Sequence, residues 1–267
     1  APMLPLTSRA TAADRAGAAG VLSSAAMVDL YGQIYSQSDI TGEWADRVGR
    51  LRAAYTGETP SDRMAAIRAL WDGGTDPQAR YSRQVLTAYA AARMPVSGDF
   101  SADAPDLIAS MLAAGLDRNA QRWSPQAGKG SQAWGLLSLT APDSRAMIDG
   151  GGLNAFYDND SSTGHRKSRF LLAGLAGLNR IDQDTSRSFA GKVGIDPGRR
   201  TRWTQLIDAA AGVNNQTLVV LLAGVGMQGD GWDKMTSINL FHIVSALNRV
   251  GLGAEARMIA AEAVARG

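Results

Sequence analysis

Apolar residues recur at three- and four-residue intervals along nearly the whole of this chain, a period that admits helices and little else. Met27, Leu30, Tyr31, Ile34 and Tyr35 form one stripe. Trp44, Val48, Leu51 and Tyr55 form the next, behind a Thr41 placed to cap it. Pro60 opens a third run, Met64, Ile67, Leu70 and Trp71, which Gly73-Gly74 stops. Pro77 opens a fourth, with Tyr81, Val85, Tyr89 and Ala92 on one face, ending before Pro95. Ser101 or Asp103 can cap the helix that carries Leu107, Ile108, Met111 and Leu112, with Pro105 in its tolerated first turn. Further helices are expected over 131–139, 142–148, 166–179, 185–193, 200–211, 215–225, 238–250 and 254–265. The 215–225 segment is apolar nearly all round, which predicts an inner helix. Within it, Leu218 to Leu222 could form a buried strand, but a lone strand has no ladder partner, so it reads as helix.

The expected fold class is therefore all-α: an α-solenoid-like array of antiparallel helical hairpins, with roughly 12–15 helices and short connections. A single hairpin-array domain over 1–267 accommodates it, with a subdivision allowed near 95–100.

Composition then limits the chemistry. The 267 residues include two histidines, no cysteine and only four glutamates, Glu43, Glu58, Glu255 and Glu262. Without cysteine there are no disulfides, thiolate zinc sites, iron–sulfur clusters or thiol nucleophiles. Neither an HExxH zinc pattern nor a Gly-x-Ser-x-Gly elbow occurs. The formal charge of +2 does not indicate a protein that coats nucleic acid. The preference for Arg over Lys, with abundant Ala and Gly, reads as a bacterial coding bias. The longest apolar run, 218–227, is about half of the roughly 20 residues needed to span a bilayer. A start at Ala1-Pro2 suggests either removal of a signal peptide, which favours the cell envelope over the cytoplasm, or a piece of a longer polypeptide.

Several motifs fail on inspection. Gly128-Lys129-Gly130-Ser131 hints at a phosphate loop, but the Walker pattern needs Gly where Trp123 stands and Ser or Thr where Gly130 stands. Gly150-Gly151-Gly152 lacks Rossmann spacing and reads as a hinge between helices. Asp158 to Gly164 resembles a calcium loop but has Thr163 in place of the required Gly and Arg169 in place of Glu. It reads as an interhelical loop with a capping Ser or Thr, and Asp230-Gly231-Trp232-Asp233 reads as a turn. His242 reads as a hydrogen-bonded structural residue and His165 as part of a basic cluster. Trp44, Trp71 and Trp134 lie on apolar stripes and read as core, whereas Trp123, Trp203 and Trp232 lie near helix ends, where core packing or turn-sealing is the default and lining a groove the alternative. Glu255 and Glu262 read as ordinary exposed helix positions.

Two turns share a Gly-Leu-x-x-x-Ala core: Gly115-Leu116 to Ala120, and Gly251-Leu252 to Ala256. Glycine ends one helix, leucine plugs the turn, and the small alanine lets the next helix cross closely. Gly177-Leu178 begins a weaker third case. The stretch Ala246 to Ala256 resembles a tetratricopeptide-like hairpin over two helices, without that family's full pattern of about 34 residues. The resemblance implies a superhelical scaffold that binds a peptide or protein.

Two basic clusters, His165-Arg166-Lys167-Ser168-Arg169 and Arg199-Arg200-Thr201-Arg202, open predicted helices, where cations oppose the macrodipole. That placement suggests an anionic partner; the favoured alternative is a solvated surface partly neutralised by Asp158, Asp160, Asp182 and Asp184. The expected function is a non-enzymatic scaffold without a cofactor or metal, binding a protein or peptide through Arg166, Lys167, Arg169, Arg199, Arg200, Arg202, Trp203 and Trp232. The alternatives are a cell-envelope helper on an anionic lipid or glycan assembly, and an all-α hydrolase or lyase that uses Asp residues.

Overall fold

The computed structural model describes residues 4–37, 39–142, 147–196, 198–229 and 231–267. These carry fifteen α-helices and four short 3-10 turns, and no strand among the described residues. The chain is all-α. None of the described helices is long and apolar enough to cross a membrane. Two compact units divide it, Ala1–Trp123 and Ser124–Gly267. The 95–100 stretch lies inside the first unit, where the helices on either side of it pack together.

Unit 1 contains α1 (Leu6–Ala18), α2 (Ser24–Tyr35), α3 (Glu43–Thr56), α4 (Pro60–Asp72), α5 (Pro77–Ala92), α6 (Ala104–Leu112) and α7 (Asp117–Gln121). Its helix starts follow local chemistry. Thr59 and Asp62 form a reciprocal capping box ahead of Pro60, and the Asp76 carboxylate accepts from the Ala79 N–H ahead of Pro77. Two starts differ from expectation. Gly42, at φ 69°, takes the N-cap of α3 in place of Thr41. Asp103 precedes α6 without capping it, because its carboxylate accepts from Arg68 Nε at 2.7 Å.

The α5 helix is the centre of unit 1. It packs on α1, α2, α4 and α6 and buries Ser82, Arg83, Gln84 and Thr87 beside Val85 and Leu86. Arg83, Gln84 and Thr87 find partners there, whereas the Ser82 hydroxyl has none. Thr87 Oγ1 accepts from Trp71 Nε1 at 2.8 Å and donates to the Arg83 carbonyl at 2.8 Å. Ser110 Oγ donates to the Gln84 carbonyl at 2.7 Å. Buried polar groups are tolerated when bonded in this way.

Unit 2 contains α8 (Gln132–Thr140), α9 (Gly150–Asn159), α10 (Arg166–Gly177), α11 (Gln183–Lys192), α12 (Arg202–Gly212), α13 (Gln216–Gly226), α14 (Ser237–Arg249) and α15 (Gly253–Arg266). The α10, α14 and α15 helices pack against one another, α8 closes on α15, and α12 lies on α14. In a hairpin stack each helix would contact its sequence neighbours. Here α1 meets α5 and α10 meets α14, so each unit folds back on itself around a central helix.

Three expectations change in unit 2. Residues 143–146 of the helix expected over 142–148 lie outside the described residues, and 147–149 are not helical. The glycine triplet at 150–152 is the first turn of α9 rather than a hinge: Asp149 caps it, and a side chain at Gly152 would meet the Trp134 ring at 2.6 Å. The apolar α13 helix is not an inner one. It buries only Val219, Leu222 and Ala223, and leaves Val220, Leu221 and Val225 exposed.

Helix ends follow one pattern more often than the Gly-Leu turns suggested. At Gly20, Gly115, Asn179, Gly194, Asn214 and Gly251 the backbone has positive φ. In each case the next N–H reaches back five residues, as in Leu116 to Met111 (3.0 Å) and Leu252 to Leu247 (2.9 Å). This is the Schellman arrangement. Asn179, not Gly177, supplies the left-handed residue of the third turn. Gly177 is instead the last residue of α10, where an added Cβ would lie 2.9 Å from Val244 Cβ and 3.0 Å from the Ser245 nitrogen. At Gly174 the corresponding distance to Ala260 Cβ is 2.9 Å. These glycines let α10 approach α14 and α15 closely. Gly177→Ala is expected to destabilise the protein by about 1–3 kcal/mol through overpacking. Gly49→Ala, in α3 with open space around it, is expected to stabilise by about 0.5–1 kcal/mol. Urea unfolding of both variants measures the contrast.

Candidate functional site

Unit 1 contains a cleft of about 400 Å³. Four helices build it. The α1 helix supplies Asp14 and Arg15, α3 supplies Glu43, Trp44 and Arg47, and α5 supplies Ser82 and Arg83, with Asp76 at its N-cap. The α2 helix contributes Tyr31 from behind.

At its floor is a buried charge network. Arg83, 6% exposed, donates from Nη1 to Asp14 Oδ2 at 3.0 Å and to the Tyr31 hydroxyl at 2.6 Å. Tyr31 donates in turn to Asp14 Oδ1 at 2.7 Å. Burial, and then the Asp14 carboxylate, push the Tyr31 phenol well above its usual range against the opposing pull of Arg83. Arg47 reaches Asp14 at 3.4 Å, pairs with Glu43, and covers the Trp44 ring at 4.5 Å. Trp44 also meets Tyr31 edge to face, with centroids 5.8 Å apart. Ser82 Oγ is buried in the same wall without a hydrogen-bond partner. The lining holds arginines and carboxylates in equal number, Arg15, Arg47 and Arg83 against Asp14, Glu43 and Asp76, so it suits a ligand that carries both signs.

The residues singled out from the sequence lie elsewhere, in unit 2. Arg166 Nη1 donates to the Trp232 carbonyl at 3.0 Å, which brings two of them together. Trp232 Nε1 donates to Glu262 Oε1 at 3.3 Å, and Glu262 also pairs with Arg266, so Glu262 is a structural partner rather than an idle surface group. Lys167 Nζ donates to Gln132 Oε1 at 3.0 Å, and Arg169 is exposed. The start of α10 already has its anion. Asp160 Oδ2 accepts from the Ser168 N–H at 2.8 Å, and Ser162 Oγ accepts from the Lys167 N–H at 3.0 Å. Burial would raise the Asp160 carboxyl, but its hydrogen bonds from Ser162 and Ser168 prevail and hold it below the usual carboxylate range. The polar loop over 158–164 is thus a capping loop, and no cluster of metal-ligating side chains occurs among the described residues. Arg199, Arg200 and Arg202 are exposed at the start of α12. Trp203 packs on Gly226 and donates to the Leu222 carbonyl at 3.0 Å.

Of the tryptophans, Trp123 keeps its default place in the core and Trp44 departs from it. Trp123 is 1% exposed and belongs to the core, whereas Trp44 lines the cleft. Only Arg47, four residues from both Glu43 and Leu51 and thus at the polar edge of the α3 stripe, could have marked Trp44 as a boundary residue. Arg83 had no such signal, because a single arginine in a helix reads as solvated until its neighbours are known.

A smaller apolar cavity of about 120 Å³ lies in unit 2 between α10, α11 and α14. His242, 1% exposed, lines it, with Nδ1 2.9 Å from Asp208 Oδ1 and Nε2 buried without a partner. Ser186 and Ser237 line the same cavity, yet neither bonds to His242 Nε2, so no serine–histidine pair is formed. The expected hydrogen bond to His242 exists on one ring nitrogen only.

In comparisons with known proteins the chain matches no family model, no curated protein and no solved structure.

Two outcomes follow from the network. Asp14→Ala leaves Arg83 buried without a countercharge and is expected to cost about 3–5 kcal/mol in urea unfolding, with Arg83→Met costing less. Tyr31 and Tyr55 both have folded-state values above the usual 10, Tyr55 pushed up to about 12 by burial. The folded state therefore keeps protons that the unfolded state releases, so stability is intact below pH 10 and falls as pH rises through 10 to 12. Unfolding measured across that range should show the loss, and Tyr31→Phe with Tyr55→Phe should flatten it.

Proposed function

We propose that this chain is a non-enzymatic helical scaffold that binds a peptide or protein segment, and that the unit 1 cleft is its anchor. The observation that carries this reading is the convergence of Trp44, Arg15, Arg47 and the unpartnered Ser82 hydroxyl on one cleft of about 400 Å³. Tryptophan and arginine in a concave, partly desolvated setting are the side chains that dominate interface energetics. The exposed Arg15 offers a fork for a carboxylate, Asp76 and Glu43 face cationic or amide groups, and the Trp44 face takes an apolar or guanidinium group. A segment of mixed charge fits such a lining.

The tetratricopeptide-like reading of the C-terminal pair rests on the Gly251–Leu252 turn and the fully buried Ala256 behind it, which fit helices that cross closely. It adds support for a scaffold and none for a particular partner. A hydrolase or lyase working through Asp residues draws no support from the carboxyl groups. Those displaced from their usual range, Asp149, Asp160 and Asp182, are lowered, whereas a general acid needs the opposite shift.

Selection from a displayed library of short peptides tests the reading. Peptides enriched on the intact chain should bind Trp44→Ala or Arg47→Ala at least about tenfold more weakly, the loss typical of a central anchor. Enriched peptides that bind Trp44→Ala as well as the parent chain would remove the cleft from consideration.

A further inference from the structure

The most apolar helix of the protein is at the edge of its unit. The α13 helix packs on α12 and α14, and both α12 and α13 lie against α14, so the faces they turn away from α14 share one side. That outer side is not polar. Val220, Leu221 and Val225 of α13 are 49%, 62% and 53% exposed, and Leu206 of α12 is 49% exposed. The 217, 220, 221, 224 and 225 positions fall on one helical face, and residues 209–229 contain no charged side chain. Trp203 Nε1 bonded to the Leu222 carbonyl, and Gly226 pressed on the Trp203 ring, place the start of α12 beside the end of α13. The cluster Arg199, Arg200 and Arg202 therefore rims this apolar face at one end. Over residues 198–229 the sole acid is Asp208, which is already engaged by His242.

We propose that the outer face of the α12–α13 hairpin docks on a bilayer surface that carries anionic headgroups. Valine and leucine side chains enter the boundary between headgroups and acyl chains, and Arg199 and Arg202 meet phosphates, which their planar forks match. Charge selects this occupant. A second copy of the hairpin would set one basic rim against another, so the arginines favour an anionic surface over self-association. An anionic bilayer neutralises the rim, and each interfacial arginine strengthens partition about fivefold. The inference does not rest on the peptide-binding reading of unit 1, which concerns other residues.

Co-sedimentation of the full chain with vesicles tests it, comparing phosphatidylcholine alone with phosphatidylcholine and phosphatidylglycerol mixed in about a 2:1 ratio. Binding is expected to the mixed vesicles, weak binding to the neutral ones, and release as salt is raised. Replacing Arg199 and Arg202 with alanine together should weaken partition on the order of 20-fold. Leu221→Ser with Val225→Ser should do likewise at unchanged circular dichroism, because both side chains are more than half exposed. Trp44→Ala should leave vesicle binding unaltered. Absent or equal binding to the two vesicle types, or undiminished binding by the Leu221→Ser and Val225→Ser variant, would overturn the proposal. A concentration-dependent dimer in sedimentation velocity that Leu221→Ser dissolves would also overturn it, in favour of a second copy.

Discussion

A guanidinium taken out of water governs how unit 1 is arranged. Removing an arginine from solvent carries a penalty of several kcal/mol unless an anion and further acceptors meet it with good geometry. Arg83 meets these demands with groups from two other helices, the Asp14 carboxylate of α1 and the Tyr31 hydroxyl of α2, at 3.0 and 2.6 Å. None of the three can be seated without the other two. The network therefore fixes the register of α1 and α2 against α5 more specifically than apolar packing, which tolerates sliding, would do. Asp14 also faces the cleft and touches Arg47, so the group that neutralises the core also sets the charge of the site. Structure and binding chemistry are coupled through one carboxylate.

Unit 2 solves its packing by a different route. Its central contacts, α10 on α14 and α15, depend on small residues, Gly174 and Gly177 facing Ala260 and Val244. Its buried cation, Arg180, has Ser138 and Ala141 carbonyls at the end of α8 as acceptors, where the helix macrodipole is negative. Burial, reinforced by Arg257, lowers the Arg180 guanidinium to about 10. The apolar surface spared from this core is displayed on α13, which is why the unit carries a greasy edge beside a basic rim.

Where sequence reading erred, the errors share a cause. The expectation that α13 is interior came from its composition, and the expectation that Trp44 is core came from its place on a stripe. Both treat burial as a property of a segment. Burial is a property of the neighbours. The α5 helix, with Ser82, Arg83, Gln84 and Thr87, looks amphipathic in sequence, yet it is enclosed because α1, α2, α4 and α6 all bring partners to it. Likewise the sequence offers four acids to neutralise the basic clusters, and only the fold shows that Asp160 is the one seated at the α10 N-terminus.

Local rules were enough to determine that the chain is all-α and where most helices begin. Prolines at 60 and 77, capping residues such as Ser131 and Thr59, and glycines at 115 and 251 act on their own turn of backbone, within a few residues of themselves. Which helix is central, which tryptophan meets solvent, and which charges converge were decided only by tertiary structure. These depend on pairs such as Asp14 and Arg83, sixty-nine positions apart along the chain. Helical periodicity carries no information across that separation, because the energy that joins such groups exists only once the helices between them have packed.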